Sequence, residues 1–162
     1  MKRTMLPALI VAVWCLAGVP GQARAGLEAG INAYLDADYG MALIELQPLA
    51  EGGDNVAQYY LGEMHLRGRG VAQDFALAVD WYAKAAEFGH PEAQAALGAL
   101  EMLGLGTPRH PGSAYFWLIV SVVWSDSDLR AAAMESLGDV ARQLTPAHKR
   151  AIARAAVPQW RQ

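Results

Sequence analysis

Between positions 56 and 90 the apolar residues return at the spacing of one helix face. Ala57, Tyr60, Leu61 and Met64 fall at i, i+3, i+4 and i+7, and Phe75, Ala78, Val79, Tyr82 and Ala86 resume a helical spacing after a break at Gly68-Arg69-Gly70. The pattern predicts a helix, a glycine loop and a second helix. Without a Cβ, Gly68 and Gly70 can take positive φ and close the first helix. Asp74 stands where an N-cap accepts from the free N–H groups of the second. Gly89 ends that helix, and Pro91, which has no N–H to leave unpaired, suits the first turn of the next.

Thirty-six residues on, the same positions recur without a gap. Ala57 maps to Ala93, Gln58 to Gln94, Leu61 to Leu97, Gly62 to Gly98, Gly68 to Gly104, Gly70 to Gly106, Ala78 to Ala114 and Trp81 to Trp117. So many coincidences at one offset define a tandem repeat. Each helix pair alone buries too little surface, whereas stacked pairs share one continuous core, so the expectation is an all-α solenoid of helix hairpins. A glycine inside a helix costs up to about 1 kcal/mol against alanine. Its recurrence at Gly62 and Gly98 therefore predicts that another helix crosses there too closely for a Cβ. Ala57, Ala78, Ala85 and Ala86 would let helices approach, while Trp81 and Tyr82 supply large contact area.

The flanking regions follow the pattern less fully. Asp38, Tyr39, Ala42, Ala50 and Gly53 lie 36 positions before Asp74, Phe75, Ala78, Ala86 and Gly89. They predict a helix over Leu27 to Asp36, a turn at Ala37-Asp38 and a second helix ending near Gly52-Gly53. Pro48 should bend that second helix or end it early. After position 125, Asp126 or Ser127 should cap a helix with Leu129, Ala133, Leu137, Val140, Ala141 and Leu144 on one stripe. Thr145-Pro146 should open a last helix running to about Ala156 and ended by Val157-Pro158. The organisation expected is a degenerate capping repeat over 26–54, a full repeat over 55–90, a divergent one over 91–125 and C-terminal capping helices over 126–162. Tyr115 to Trp124 is the most apolar stretch of residues 26–162 and is too short to span a bilayer. Burial under the next helix is expected for it, the alternative being an exposed strip for a partner or a membrane.

The unit over 55–90 resembles the Sel1-like repeat, a relative of tetratricopeptide repeats. Ala57, Leu61, Gly62, Gly68, Gly70, Val71, Asp74, Ala78, Trp81, Ala85, Ala86 and Gly89 occupy its motif positions. The second unit departs from it at His110, in place of the aspartate, and at Val122, in place of an alanine. The resemblance implies a right-handed superhelix of helix pairs that acts as a protein-interaction adaptor and lines its concave side with first helices. On that side, spacing places Tyr59 and Glu63 of the first unit and Glu101 of the second off the apolar stripe, as candidate partner-binding residues.

Residues 1–25 combine Lys2-Arg3, an apolar run from Met5 to Val19, a Pro20-Gly21 break and Ala23-Arg24-Ala25. That order reads as a secretory signal peptide cleaved after Ala25, with a periplasmic or secreted product. Cys15, the chain's one cysteine, lies inside it, so residues 26–162 have no disulfide, thiol nucleophile or thiolate site. They carry ten basic and sixteen acidic residues, a net of −6. The charge is uneven: seven acids and no Lys or Arg between 26 and 66, then Lys149, Arg150, Arg154 and Arg161 with no acid after 143. Such asymmetry can steer two partners or stack copies head to tail.

Catalytic patterns are missing from the sequence. His65, His90, His110 and His148 have no metal-binding spacing, the glycine pairs follow helices rather than strands, and no serine sits in a nucleophile motif. Asp36 with Asp38 and Asp126 with Asp128 fall at helix starts, where capping accounts for them. The reading is a protein without enzymatic activity, cofactor, metal, nucleic-acid partner or small-molecule substrate, acting as an adaptor in a bacterial envelope. Two alternatives stand beside it: a cell-wall protein that binds or processes peptidoglycan or β-lactams, as exported relatives of the resemblance suggest, and a membrane-associated assembly factor.

Overall fold

The computed structural model describes residues 20–156. The apolar leader up to Val19 and the Val157-Pro158 stop lie outside the described residues. Eight helices follow one another, with no strand among the described residues: α1 (Pro20–Leu35), α2 (Tyr39–Glu51), α3 (Asn55–Arg67), α4 (Phe75–Glu87), α5 (Pro91–Leu103), α6 (Pro111–Trp124), α7 (Ser127–Ala141) and α8 (Pro146–Ala156). Each packs on its neighbour in order as far as α7, and α8 returns to α6. The chain is an α-solenoid of helix hairpins.

Equivalent residues hold successive pairs in the same way. Asp54 accepts from Ala57 N–H, His90 from Ala93 N–H and Asp126 from Leu129 N–H, each capping a first helix at 36-residue intervals. Four positions after each cap, a side chain donates to the last turn of the helix before: Gln58 to Ala50 O, Gln94 to Ala86 O and Arg130 to Val122 O. The register therefore continues into α7, although the repeat glycines have gone. At Gly68 and Gly104 the backbone is left-handed, and each N–H closes the preceding helix on Met64 O and Leu100 O.

The close crossings are where the helical glycines predict them. A Cβ on Gly62 would sit 2.7 Å from the Tyr82 ring, and one on Gly98 would sit 2.8 Å from Leu118 Cγ. In the first pair Gly30 plays this part, 2.6 Å from Leu46 Cγ. Leu46 is 36 positions before Tyr82, but Gly30 is only 32 before Gly62. The turn at Asp36–Asp38 is four residues shorter than the glycine loop at Gly68–Asp74, which slips α1 by one turn. That shift hides the first unit's helix from a search at constant offset. Ala37 takes the left-handed position at this turn (φ 62°) that glycine takes in the later units.

Three expectations need correction. α1 begins at Pro20 rather than Leu27 and is continuous through Ala25. Of the two effects expected of Pro48, an early end does not occur: α2 continues to Glu51 with Gly52 as its cap. The apolar stretch of α6 is covered by α7 and α8 together, burying Ala114, Leu118 and Val120, but its last turn emerges: Val123 and Trp124 stay 57% and 55% exposed. Along the axis the buried residues form three neighbouring clusters, centred on Leu46 with Leu61, on Tyr82 with Leu97, and on Leu118 with Val140.

Candidate protein-binding face

The buried stripes of the first helices leave an opposite side in the same register. It runs through Val56, Glu63 and Arg67 on α3, Glu92, Ala99 and Leu103 on α5, and Asp128, Glu135 and Asp139 on α7, each set displaced by 36. Glu92, Asp128, Glu135 and Asp139 are exposed, as is Leu103 at 61%. This side is acidic, with an apolar point in the middle.

On α3 the face is closed rather than open. Glu63 is only 9% exposed and is held from three directions. Tyr82, lying over Gly62, donates its hydroxyl to Oε1 at 2.7 Å, while Arg67 Nε donates to Oε2 at 2.6 Å. Tyr34 reaches from α1 and donates to Oε2 at 3.5 Å, and Arg69 Nη1 donates to the Tyr34 hydroxyl at 2.8 Å. The Arg69 guanidinium sits 5.6 Å from the centres of the Tyr34 and Tyr39 rings. Burial pushes the hydroxyls of Tyr34 and Tyr82 above the ordinary phenol range, so near neutral pH both remain protonated donors. The hydrogen bond to Glu63 raises Arg67 in turn. The arrangement joins the first pair to the second through a charged centre.

Tyr59 is half-buried. Its ring stacks on His90 with centroids 4.6 Å apart and planes at 15°, and it tilts against Tyr82. Burial raises its hydroxyl as well. His90 itself is depressed by burial, against the pull of the Glu92 and Asp54 carboxylates. Its neutral Nδ1 accepts from Ala93 N–H at 3.4 Å and also lies 3.1 Å from Glu92 Oε2.

The sequence grouped Tyr59, Glu63 and Glu101 on one open side, and the structure separates them. Glu63 faces Tyr82 and Tyr34 instead of solvent. Glu101 is the counterpart of His65, not of Glu63, whose counterpart is Ala99. It is half-buried, its Oε2 has no hydrogen-bond partner, and burial raises its carboxyl against the opposing effects of Ser113 and His110. Spacing alone did not bring out Tyr34, Arg67, Arg69, Tyr82 and His90. One signal was present: five of the six tyrosines lie between 34 and 82, where the second unit has Ala95-Ala96 in place of Tyr59-Tyr60. Among the described residues no three His, Cys, Asp or Glu side chains group as a metal would need, and no helix is long and apolar enough to cross a membrane.

Known proteins share this architecture. The pattern of the Sel1 repeat matches residues 55–90 and 91–119. A Sel1 repeat protein from Oxalobacter formigenes is similar at 32% identity and a TM-score of 0.64, over 74% of this chain and 90% of that one. A protective antigen of uropathogenic Escherichia coli strains, displaying an SLR fold, is similar at 27% identity and a TM-score of 0.73. The match covers 84% of this chain, which spans 29% of the length of that antigen. Among curated proteins no sequence matches.

Proposed function

The chain belongs to the Sel1 repeat family, and on that premise we propose that it is an exported adaptor in a bacterial envelope, binding protein partners on the open side of its first helices. Sel1 repeats in general mediate protein–protein interaction. The observation that carries the reading is the change along that side. At α3 it is sealed by Glu63 and its three donors, and at α5 and α7 it is bare, with Ala99 and Ala131 between Glu92, Asp128, Glu135 and the exposed Leu103. Exposed carboxylates around the exposed Leu103 suit a partner segment with apolar and cationic side chains. Lys2-Arg3, the apolar run to Val19 and the Ala23-Arg24-Ala25 site support export.

The test is capture of the tagged chain from crosslinked envelope fractions, read by mass spectrometry, beside the double variant Glu92→Lys, Leu103→Glu. Both residues are exposed, so the variant should keep its helical circular dichroism. Loss of the same one or two proteins from the variant is the expected result. Equal recovery by both forms would remove this face from the proposal, and recovery of glycan instead of protein would overturn the adaptor role.

A further inference from the structure

A second surface lies away from the open side, on α2. Its outward residues Met41, Ile44, Gln47, Pro48 and Glu51 recur at helical spacing and are exposed, Ile44 at 67% and Met41 at 47%. Around Pro48 they form a shallow groove of about 310 Å³, lined by Leu43, Ile44, Gln47, Pro48 and Glu51. Pro48 has no N–H for the Ile44 carbonyl four residues before it, so the helix has one acceptor here without its usual donor. Gln47 donates to Glu51 on the rim, whose carboxylate supplies the negative charge. The groove thus offers apolar contact, a backbone acceptor and negative charge together.

The complement is carried at the other end of the chain. After α8 come six residues, Val157-Pro158-Gln159-Trp160-Arg161-Gln162, which pair an aromatic anchor with an adjacent cation and contain no acid. A tryptophan can bury roughly 150–250 Å² and donates from its indole N–H. α8 itself adds Arg150 and Arg154 on its exposed side. Within one chain the two surfaces are well separated in the packing order, which runs from α2 through α3, α4, α5 and α6 before reaching α8.

We propose that residues 157–162 of one copy dock in the α2 groove of a second copy, Trp160 against Ile44 and Pro48 and Arg161 beside Glu51. The contact joins different surfaces of the two copies. It does not close on itself by a two-fold axis, and it adds copies head to tail. Its charge component makes it sensitive to salt, since the Debye length shrinks from about 10 Å at 0.1 M to about 3 Å at 1 M and exposed charges are then screened even near contact.

Sedimentation of the purified full chain tests this. At low salt the average mass should rise at least about twofold from low to high micromolar concentration, as heterologous addition requires, and the rise should fade at high salt. Ile44→Glu removes the groove and keeps the tail; Trp160→Ala with Arg161→Glu removes the tail and keeps the groove. Each variant alone should remain a monomer with unchanged helical circular dichroism. Mixed in equal amounts, they should form a heterodimer that grows no further, because its one intact tail and one intact groove are both used in that contact. A wild-type chain that stays monomeric would overturn the proposal and leave the groove to residues 1–19 or to another protein. Association of either variant by itself, or no heterodimer from the mixture, would overturn it equally.

Discussion

The α3–α4 pair meets the pair before it through charged and phenolic groups around Glu63, whereas α5–α6 has carbon at the equivalent positions. In the first, Glu63 ties Tyr82 of its own pair to Tyr34 of the previous one. In the second, Ala99 replaces Glu63 and Leu118 replaces Tyr82, and Leu118 packs against Gly98 without a polar partner. The scaffold bonds are nevertheless the same in both: Gln58 and Gln94 to the preceding carbonyl, Gly68 and Gly104 in the left-handed cap. Bonds that set the spacing of pairs are kept at constant offset. Positions on the side those bonds do not use are free to become either a sealed polar junction or an open floor.

The largest effect expected concerns the shared scaffold. A Cβ on Gly106 would collide with the Phe75 carbonyl, and its φ of 74° disfavours any other residue. Gly106→Ala should cost about 4 kcal/mol or more, because two backbones must separate. Gly70→Ala, which meets Tyr39 Cβ at 2.6 Å, should cost less, about 2–3 kcal/mol. Urea unfolding of both variants ranks them; equal small losses would mean that loop and helix do not press together.

Glu63→Ala should cost about 2–3 kcal/mol, since the buried Tyr82 hydroxyl is left without an acceptor. Ala99→Ser, at the matching position, should stay within about 0.5 kcal/mol of wild type. If both changes cost the same, the polar junction contributes nothing particular to the first unit.

Caps give a smaller contrast. Asp74 accepts from Ala76 N–H and Leu77 N–H, whereas His110 in the same position makes no side-chain cap bond. Asp74→Ala should lose about 1 kcal/mol and His110→Asp should gain about 0.5–1 kcal/mol. A loss on His110→Asp, read as a lower thermal midpoint, would show that α6 is begun by something other than its cap.

The smallest effect is the pH dependence of the cap between the units. Burial lowers His90 from the ordinary 6.5, so the unfolded chain takes up a proton first as pH falls. Its contribution is complete above that value and declines as pH falls through it, until folded His90 also protonates. The charged groups facing it are Glu92 on its own helix and Asp54 at the start of α3, with Tyr59 stacked on the ring. His90→Asn should flatten the stability profile over this range; an unchanged slope would assign the titration to other groups.

The scaffold was legible because its constraints are local and periodic. Gly62 and Gly98 announce a crossing, and Asp74 and Asp126 announce helix starts, whatever surrounds them. The candidate face was read less well. Periodicity gives an angle around the helix axis, and at that angle Glu63 looks exposed. Its burial depends on Tyr34, 29 residues earlier, and Tyr82, 19 later. The four-residue slip of α1 was also hidden, because a shorter turn changes the offset without changing the packing that Gly30 makes on Leu46.

By itself, then, the sequence determined the helix pairs, their 36-residue spacing and the close crossings, since each follows from a residue's own backbone preference repeated at one interval. Only the tertiary structure decided which polar side chains face solvent. Glu63, Tyr59 and Glu101 differ in the neighbours that successive pairs bring to them, and burial is a property of those neighbours, not of the residue.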